Sequence, residues 1–329
     1  MSGDAPANPA DAGTSRTTSS KAGPRRALKV TLGPVSLANP VLTASGTFGY
    51  GDEEPELTGV ACLGGIVTKT VTLEPRSGNA PPRIWETPAG MLNSIGLQNV
   101  GADRFLTEKL PALASLGIPV IVSVGGRRTE EYVETVRRLD GAPGITAFEI
   151  NVSCPNVKEG GLEFCQVPSA AAGVVEAIRN VTRLPLWAKL SPNVTSLGTV
   201  ARAVAEAGAD GVTVANTFVG LCVDIRTRRS RLSAGTGGLS GPAIRPLALA
   251  RVRDAVRAVT IPVVGCGGIT TAEDALEFLV VGARAVQVGT ASFRDPRAAR
   301  SVVEGIEAFL RAEGLASVEA LIGTYLEGA

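Results

Sequence analysis

Histidine is absent from this 329-residue chain. The side chain best suited to move protons near neutral pH is therefore excluded, and any proton transfer falls to another group. Aromatic residues make up only 4% of the chain. The core must then be built from Val, Ile, Leu and Ala, as the cores of buried parallel sheets are. Neither sign of charge dominates: the formal net charge is +1, which removes the general electrostatic reason to expect nucleic acid or a membrane surface as partner. Five cysteines (Cys62, Cys154, Cys165, Cys222 and Cys266) are scattered without a CxxC pair. That pattern suits neither a disulfide framework nor a zinc site and fits a reducing cytoplasm. No apolar run approaches the roughly 20 residues of a membrane span. Residues 1–27 are mostly Ala, Pro, Gly, Ser and Thr without apolar periodicity, which predicts a disordered tail before a single domain over 28–329. The tail has no apolar centre to make it a signal peptide, and Asp4 and Asp11 argue against a transit peptide.

Beyond the tail, short β-branched runs alternate with amphipathic stretches. Residues 28–32 and 35–37, around Gly33-Pro34, predict a small hairpin. Strands are expected at 41–44, 65–68, 119–124, 147–152, 186–190, 211–215, 262–265 and 285–289, with helices at 170–181, 197–207, 243–258 and 272–281 among those between them. Eight strand–helix units in about 250 residues predict an α/β fold of the (β/α)8 TIM-barrel type, with an open doubly wound sheet as the alternative. Two insertions break the rhythm, at 73–100 after the second strand and at 218–241 after the sixth. Insertions of this length are usually functional. The second carries Arg226, Arg228, Arg229 and Arg231, read as a solvated loop rather than a nucleic-acid surface.

Polar residues and glycines gather at the C-terminal strand ends: Ser45, Lys69, Ser123, Asn151, Lys189, Asn216, Gly267 and Gly289. Barrel active sites form at that edge. Gly265-Cys266-Gly267-Gly268-Ile269 and Val288-Gly289-Thr290-Ala291 form glycine turns after strands seven and eight, the usual phosphate grip of such barrels, with Thr270-Thr271 capping the helix that follows the first. A phosphosugar, pyridoxal phosphate or flavin mononucleotide (FMN) would each fit. Lys69 and Lys189 emerge from apolar strands, where a lysine can stabilise an anionic ring, form a Schiff base or pair structurally. Cys154 follows a strand end between polar side chains, and a thiol there can be tuned to act as a base. Cys62 reads as core and Cys266 as a small filler.

These segments resemble class 1 dihydroorotate dehydrogenases over about residues 28–312. The matching stretches are Ala44-Ser45-Gly46-Thr47-Phe48-Gly49, Lys69-Thr70, Asn93-Ser94-Ile95-Gly96-Leu97-Gln98-Asn99, Asn151-Val152-Ser153-Cys154-Pro155-Asn156, Lys189-Leu190-Ser191-Pro192-Asn193, Asn216-Thr217, Gly237-Gly238-Leu239-Ser240-Gly241-Pro242 and the two glycine turns. The resemblance implies an FMN barrel that oxidises dihydroorotate to orotate in pyrimidine biosynthesis. Cys154 would take the C5 proton while the C6 hydride passes to the flavin. Substrate would be held by Lys69, Asn93, Ser94, Ile95, Gly96, Leu97, Asn151, Asn216 and Thr217. Flavin contacts would come from Ser45, Lys69, Thr70, Ser123, Asn151, Lys189, Ala215, Gly241, Gly267, Gly268, Gly289 and Thr290. Ser123 departs from the Asn that many relatives carry.

Pro82-Arg83-Ile84-Trp85-Glu86-Thr87-Pro88-Ala89-Gly90-Met91-Leu92-Asn93 resembles the NAD-linked class 1B, and Ile95 and Gln98 differ from the fumarate-using class 1A. The 1B resemblance implies a cytoplasmic homodimer core in a heterotetramer, with a separate subunit carrying FAD and a 2Fe–2S cluster. The alternatives are a class 1A homodimer that reduces fumarate and a tRNA-dihydrouridine synthase-like flavin enzyme. The second would want a basic face and an RNA-binding appendage. Net charge +1 and the Asn93–Leu97 segment argue against it.

Overall fold

A computed structural model describes residues 1–3, 27–51, 55–153, 158–159, 162–163 and 167–327. Most of the expected tail lies outside the described residues, and so does Cys154. Ala27, placed in the tail by sequence, instead joins the fold: it bridges to Ser317, with its N–H donating to the Ala316 carbonyl at 3.1 Å.

The hairpin forms as expected. Val30–Leu32 pairs antiparallel with Val35–Leu37 across a turn in which Gly33 takes a φ of 59°. Val30, Leu32, Val35 and Leu37 are buried while the intervening Thr31 and Ser36 face out. Gly33 lies against Asp210, which precedes the sixth barrel strand, so the hairpin covers the N-terminal end of the barrel.

The barrel strands are Val41–Thr43, Ile66–Val67, Val120–Val124, Ala147–Asn151, Leu186–Leu190, Gly211–Val214, Val263–Cys266 and Ala285–Val288. Every residue in them is buried, as parallel strands covered on both faces require. They pair in parallel, and the Leu42–Gly65 bridge brings the first strand to the second to close the ring. Three strands are entered through proline. The carbonyls of Pro119, Pro185 and Pro262 accept from Ile66, Phe148 and Val212, so a residue without an N–H still starts the ladder on its acceptor side. Helices Pro168–Arg179, Leu197–Glu206, Arg245–Ala258 and Ala272–Val281 lie within two residues of the expected bounds.

The two insertions do not stay separate. Ile84–Thr87, Gly90–Asn93, Gly237–Ser240 and Phe218–Gly220 form one four-stranded antiparallel sheet, in which Gly238 pairs with Asn93. Arg231 is not a solvated loop residue either: its guanidinium lies 4.3 Å from the centre of the Trp85 ring and 3.3 Å from Asp224, tying the second insertion to the first. Cys62 is exposed, contrary to the core reading. It ends the short helix Val60–Cys62, in which Val60 takes the buried position. Cys266 is buried, as a filler should be. Among the described residues, no helix is long and apolar enough to cross a membrane.

Candidate functional site

Three polar clusters converge at the C-terminal end of the barrel. The first is a chain of hydroxyls from the first three strands. Ser45 Oγ lies 3.2 Å from Thr70 Oγ1, which lies 3.0 Å from Ser123 Oγ. The Ser123 N–H donates to Thr68 Oγ1 at 3.2 Å. The shorter side chain at 123 is thus a working member of the network. Beside Ser45, Gly46 takes a φ of 83°, and a Cβ added there would meet nothing within 4 Å.

The second cluster joins strands four and six. Asn216 Nδ2 donates to Ser153 Oγ at 2.5 Å and approaches Asn151 Oδ1 at 3.4 Å, while Ser153 Oγ donates to Asn151 Oδ1 at 2.5 Å. The Thr217 N–H donates to Asn216 Oδ1 at 2.8 Å. Ser153 was not singled out from sequence, yet it couples the two asparagines. Tyr132 is a second omission: its hydroxyl donates to the Asn151 carbonyl at 2.9 Å in a buried setting. Tyr132→Phe leaves that carbonyl unpaired and should cost about 1–3 kcal/mol in urea unfolding of the apoprotein. An unchanged midpoint would remove Tyr132 from the support of Asn151.

The third cluster lies inside the barrel. Lys189, next to last in its strand, pairs in register with Asn151 and Thr213, and its side chain is buried. Its Nζ donates to Gln287 Oε1 at 3.0 Å and stands 3.5 Å from Glu149 Oε1. Burial by itself would lower its pKa, but the Glu149 carboxylate beside it outweighs that and holds the ammonium above its ordinary range. Burial pushes the Cys266 thiol up, so it is not a reactive thiolate. Lys69 is half-buried, and its N–H donates to the Gly49 carbonyl at 2.9 Å.

Residues 93–97 of the first insertion, expected from sequence to hold substrate, are half-buried and held by Asn79. Asn79 Nδ2 donates to the Ser94 carbonyl and hydroxyl, both at 2.9 Å, and the Asn79 N–H donates to the Ile95 carbonyl at 2.9 Å. Gly96 and Leu97 both take positive φ, 76° and 55°. A Cβ on Gly96 would come within 2.7 Å of the Asn79 backbone nitrogen, so only glycine fits there. Asn93 Nδ2 donates to the Gly238 carbonyl at 3.3 Å, which fastens the segment to the second insertion.

The glycine turns are built as expected, but one part of their reading changes. Gly267 and Gly268 take φ of 141° and 76°, and a Cβ on Gly268 would strike the Arg245 backbone at 2.7 Å. Thr271 caps helix Ala272–Val281 in a capping box with Asp274. The Asp274 carboxylate accepts from the N–H groups of Thr270 and Thr271 at 2.8 and 2.9 Å and pairs with Arg245. A carboxylate thus already serves this helix N-terminus, which leaves the glycine turns themselves as the candidate anion grip. Thr290 Oγ1 donates to Ser240 Oγ at 2.8 Å, which links the second turn to the insertion sheet. Gly241 packs against Gly90, where an added Cβ would come within 2.6 Å, and the Ala215 N–H donates to the Cys266 carbonyl at 2.9 Å. Hydroxyls, a buried cation and two glycine turns at one barrel end together fit a planar, phosphate-bearing cofactor such as FMN.

Comparison with known proteins identifies the family. The family model described as Dihydroorotate dehydrogenase matches residues 27–310. The chain is 50% identical over 299 residues to "Dihydroorotate dehydrogenase B (NAD(+)), catalytic subunit" of Geotalea uraniireducens, covering 91% of this chain and 98% of that protein. It is 51% identical over 302 residues to the protein of the same name from Trichlorobacter lovleyi, covering 92% and 99%. It is also 51% identical over 297 residues to "Putative dihydroorotate dehydrogenase A (fumarate)" of Solibacter usitatus, covering 90% and 98%. The chain belongs to the dihydroorotate dehydrogenase family.

Proposed function

We propose that this chain oxidises dihydroorotate to orotate in pyrimidine biosynthesis, using bound FMN, and passes the electrons to NAD through a separate subunit. The observation that carries this reading is the meeting of the Ser45–Thr70–Ser123 chain, the Asn151–Ser153–Asn216 cluster and Lys189 on one barrel face. Ser45, Thr70, Ser123, Lys189, Ala215 and Gly241 would hold the flavin ring side, with Lys69 and Asn151 shared with substrate. Gly267, Gly268, Gly289 and Thr290 would hold the phosphate. When bound, FMN supplies a two-electron acceptor for the hydride leaving C6. Cys154 takes the C5 proton on its sulfur. Asn93, Asn151 and Asn216 present amides to the planar acid, and Ser94 and Thr217 present hydroxyls, a donor and acceptor set suited to its ring and carboxylate. Ile95, Gly96 and Leu97 complete the wall of the substrate site.

Of eight relatives at 49–51% identity, seven carry the NAD-linked name and one the fumarate name, so the relatives favour the NAD-linked reading although identity alone does not separate the two. The two stretches whose sequence resembles class 1B lie together in the structure. Arg83, in the stretch that resembles class 1B, donates to Gln98 Oε1 at 2.6 Å, so the two stretches that distinguish the subclasses are in contact. The partner would bring FAD and a 2Fe–2S cluster to a homodimer core in the cytoplasm. After anaerobic reduction by dihydroorotate, fumarate should leave the chain bleached, and NAD should restore the colour only with the partner present. Reoxidation by fumarate alone would establish the class 1A reading instead.

A further inference from the structure

One charged group inside the barrel has no part in the chemistry above. Glu149 lies two residues before Asn151 on the fourth strand, so both side chains enter the barrel, and it is 0% exposed. A carboxylate so buried needs charge compensation and hydrogen-bond donors. Its Oε2 accepts from Thr213 Oγ1 at 2.8 Å and from Gln287 Nε2 at 2.5 Å. Its Oε1 has no hydrogen-bond partner and stands 3.5 Å from Lys189 Nζ. Gln287 offers its carbonyl to that ammonium at 3.0 Å and its amide to the carboxylate, so one side chain braces both ends of the pair.

We infer that Glu149 is a positioning residue that acts through Lys189, holding the ammonium charged and in one place and so setting the reduction potential of bound FMN. The inference rests on the proposed function in one respect, that Lys189 faces the flavin. Desolvation drives a buried lysine toward its neutral form, by up to about 3–5 units of pKa when nothing opposes it. Here Glu149, from strand four, opposes it. The other titratable group facing Lys189 among the described residues is Cys266, from strand seven, whose thiol burial keeps protonated. Asn151, Thr213 and Gln287 are uncharged. A carboxylate beside the ammonium also weakens its pull on a new negative charge. Removing that carboxylate should strengthen the pull while Lys189 keeps its proton and abolish it once the proton is lost.

The test compares FMN-loaded wild type with Glu149→Gln, without substrate, by spectroelectrochemical titration from about pH 6 to about pH 9. The readout is the potential of the variant minus that of wild type. It should be positive at the acid end and fall as pH rises, with FMN affinity of the apoprotein falling over the same window. A difference that is zero, or constant with pH, overturns the inference, because a purely structural effect gives a fixed offset. Glu149→Asp retains the charge but withdraws it by one methylene, and should show the same trend at smaller size. Should the Gln variant not fold, the Asp variant decides by the same criterion. Wild type that takes up no FMN defeats the flavin reading and this inference together. Wild type that binds FMN, with a pH-invariant difference, defeats the inference alone.

Discussion

Replacing Cys154 with alanine should slow dihydroorotate-driven bleaching of the flavin by about 10²–10⁴-fold, the usual contribution of a positioned general base. FMN should stay bound, because the proposed cofactor contacts lie on other residues. Without histidine, the chain has no neutral-pH base of the usual kind near the coupled asparagines. In sequence Cys154 directly follows Ser153, whose hydroxyl bonds both Asn151 and Asn216, the cluster proposed to hold substrate. Cys154→Ser should keep part of the activity only at higher pH, since a hydroxyl is a far weaker acid than a thiol near pKa 8.5. Stopped-flow bleaching across pH measures both variants. Reduction by the alanine variant at the wild-type rate would reject Cys154 as the base.

Lys189→Met should destabilise the apoprotein by about 3–5 kcal/mol, because it strands the buried Glu149 carboxylate without its counter-charge. Adding Glu149→Gln should recover most of the loss. The glutamine keeps partners for Thr213 and Gln287 but carries no charge. The pH dependence has a definite sign. Lys189 is held above its ordinary value in the folded chain, so its contribution is complete below the unfolded lysine pKa of about 10.4 and is lost as pH rises through the folded value. Urea unfolding at neutral and strongly alkaline pH should show wild type losing this increment and Lys189→Met losing none of it. A double variant no more stable than Lys189→Met would mean that the lysine matters for packing and not for charge.

Much of this molecule was legible in its sequence because local rules and the global fold agree. Prolines 119, 185 and 262 announce strands they go on to flank, and the amphipathic stretches become helices close to their expected ends. The hydroxyls at 45, 70 and 123 and the asparagines at 151 and 216 could be placed on one face because strand ends in a barrel share an edge. What was not legible depends on pairing between distant residues. Nothing local says that Asn93 and Gly238 will share a sheet, so two insertions read separately became one structure. Glu149 was passed over for the same reason. Its partners are 40, 64 and 138 residues away, at Lys189, Thr213 and Gln287, and only the barrel register brings them together. A charged residue inside the otherwise apolar Ala147–Asn151 strand was the available signal. Cys62 misled because its neighbours Val60 and Leu63 are apolar and buried while the thiol itself turns outward.

The central claim, a flavin barrel that takes hydride from dihydroorotate, is tested most directly by one anaerobic experiment. The purified chain is loaded with FMN, dihydroorotate is added, and the oxidised-flavin absorbance is followed. The account predicts yellow protein that bleaches on addition of dihydroorotate, with orotate formed in equal amount. Yellow protein that dihydroorotate fails to bleach, both alone and with the FAD and 2Fe–2S subunit, would contradict it.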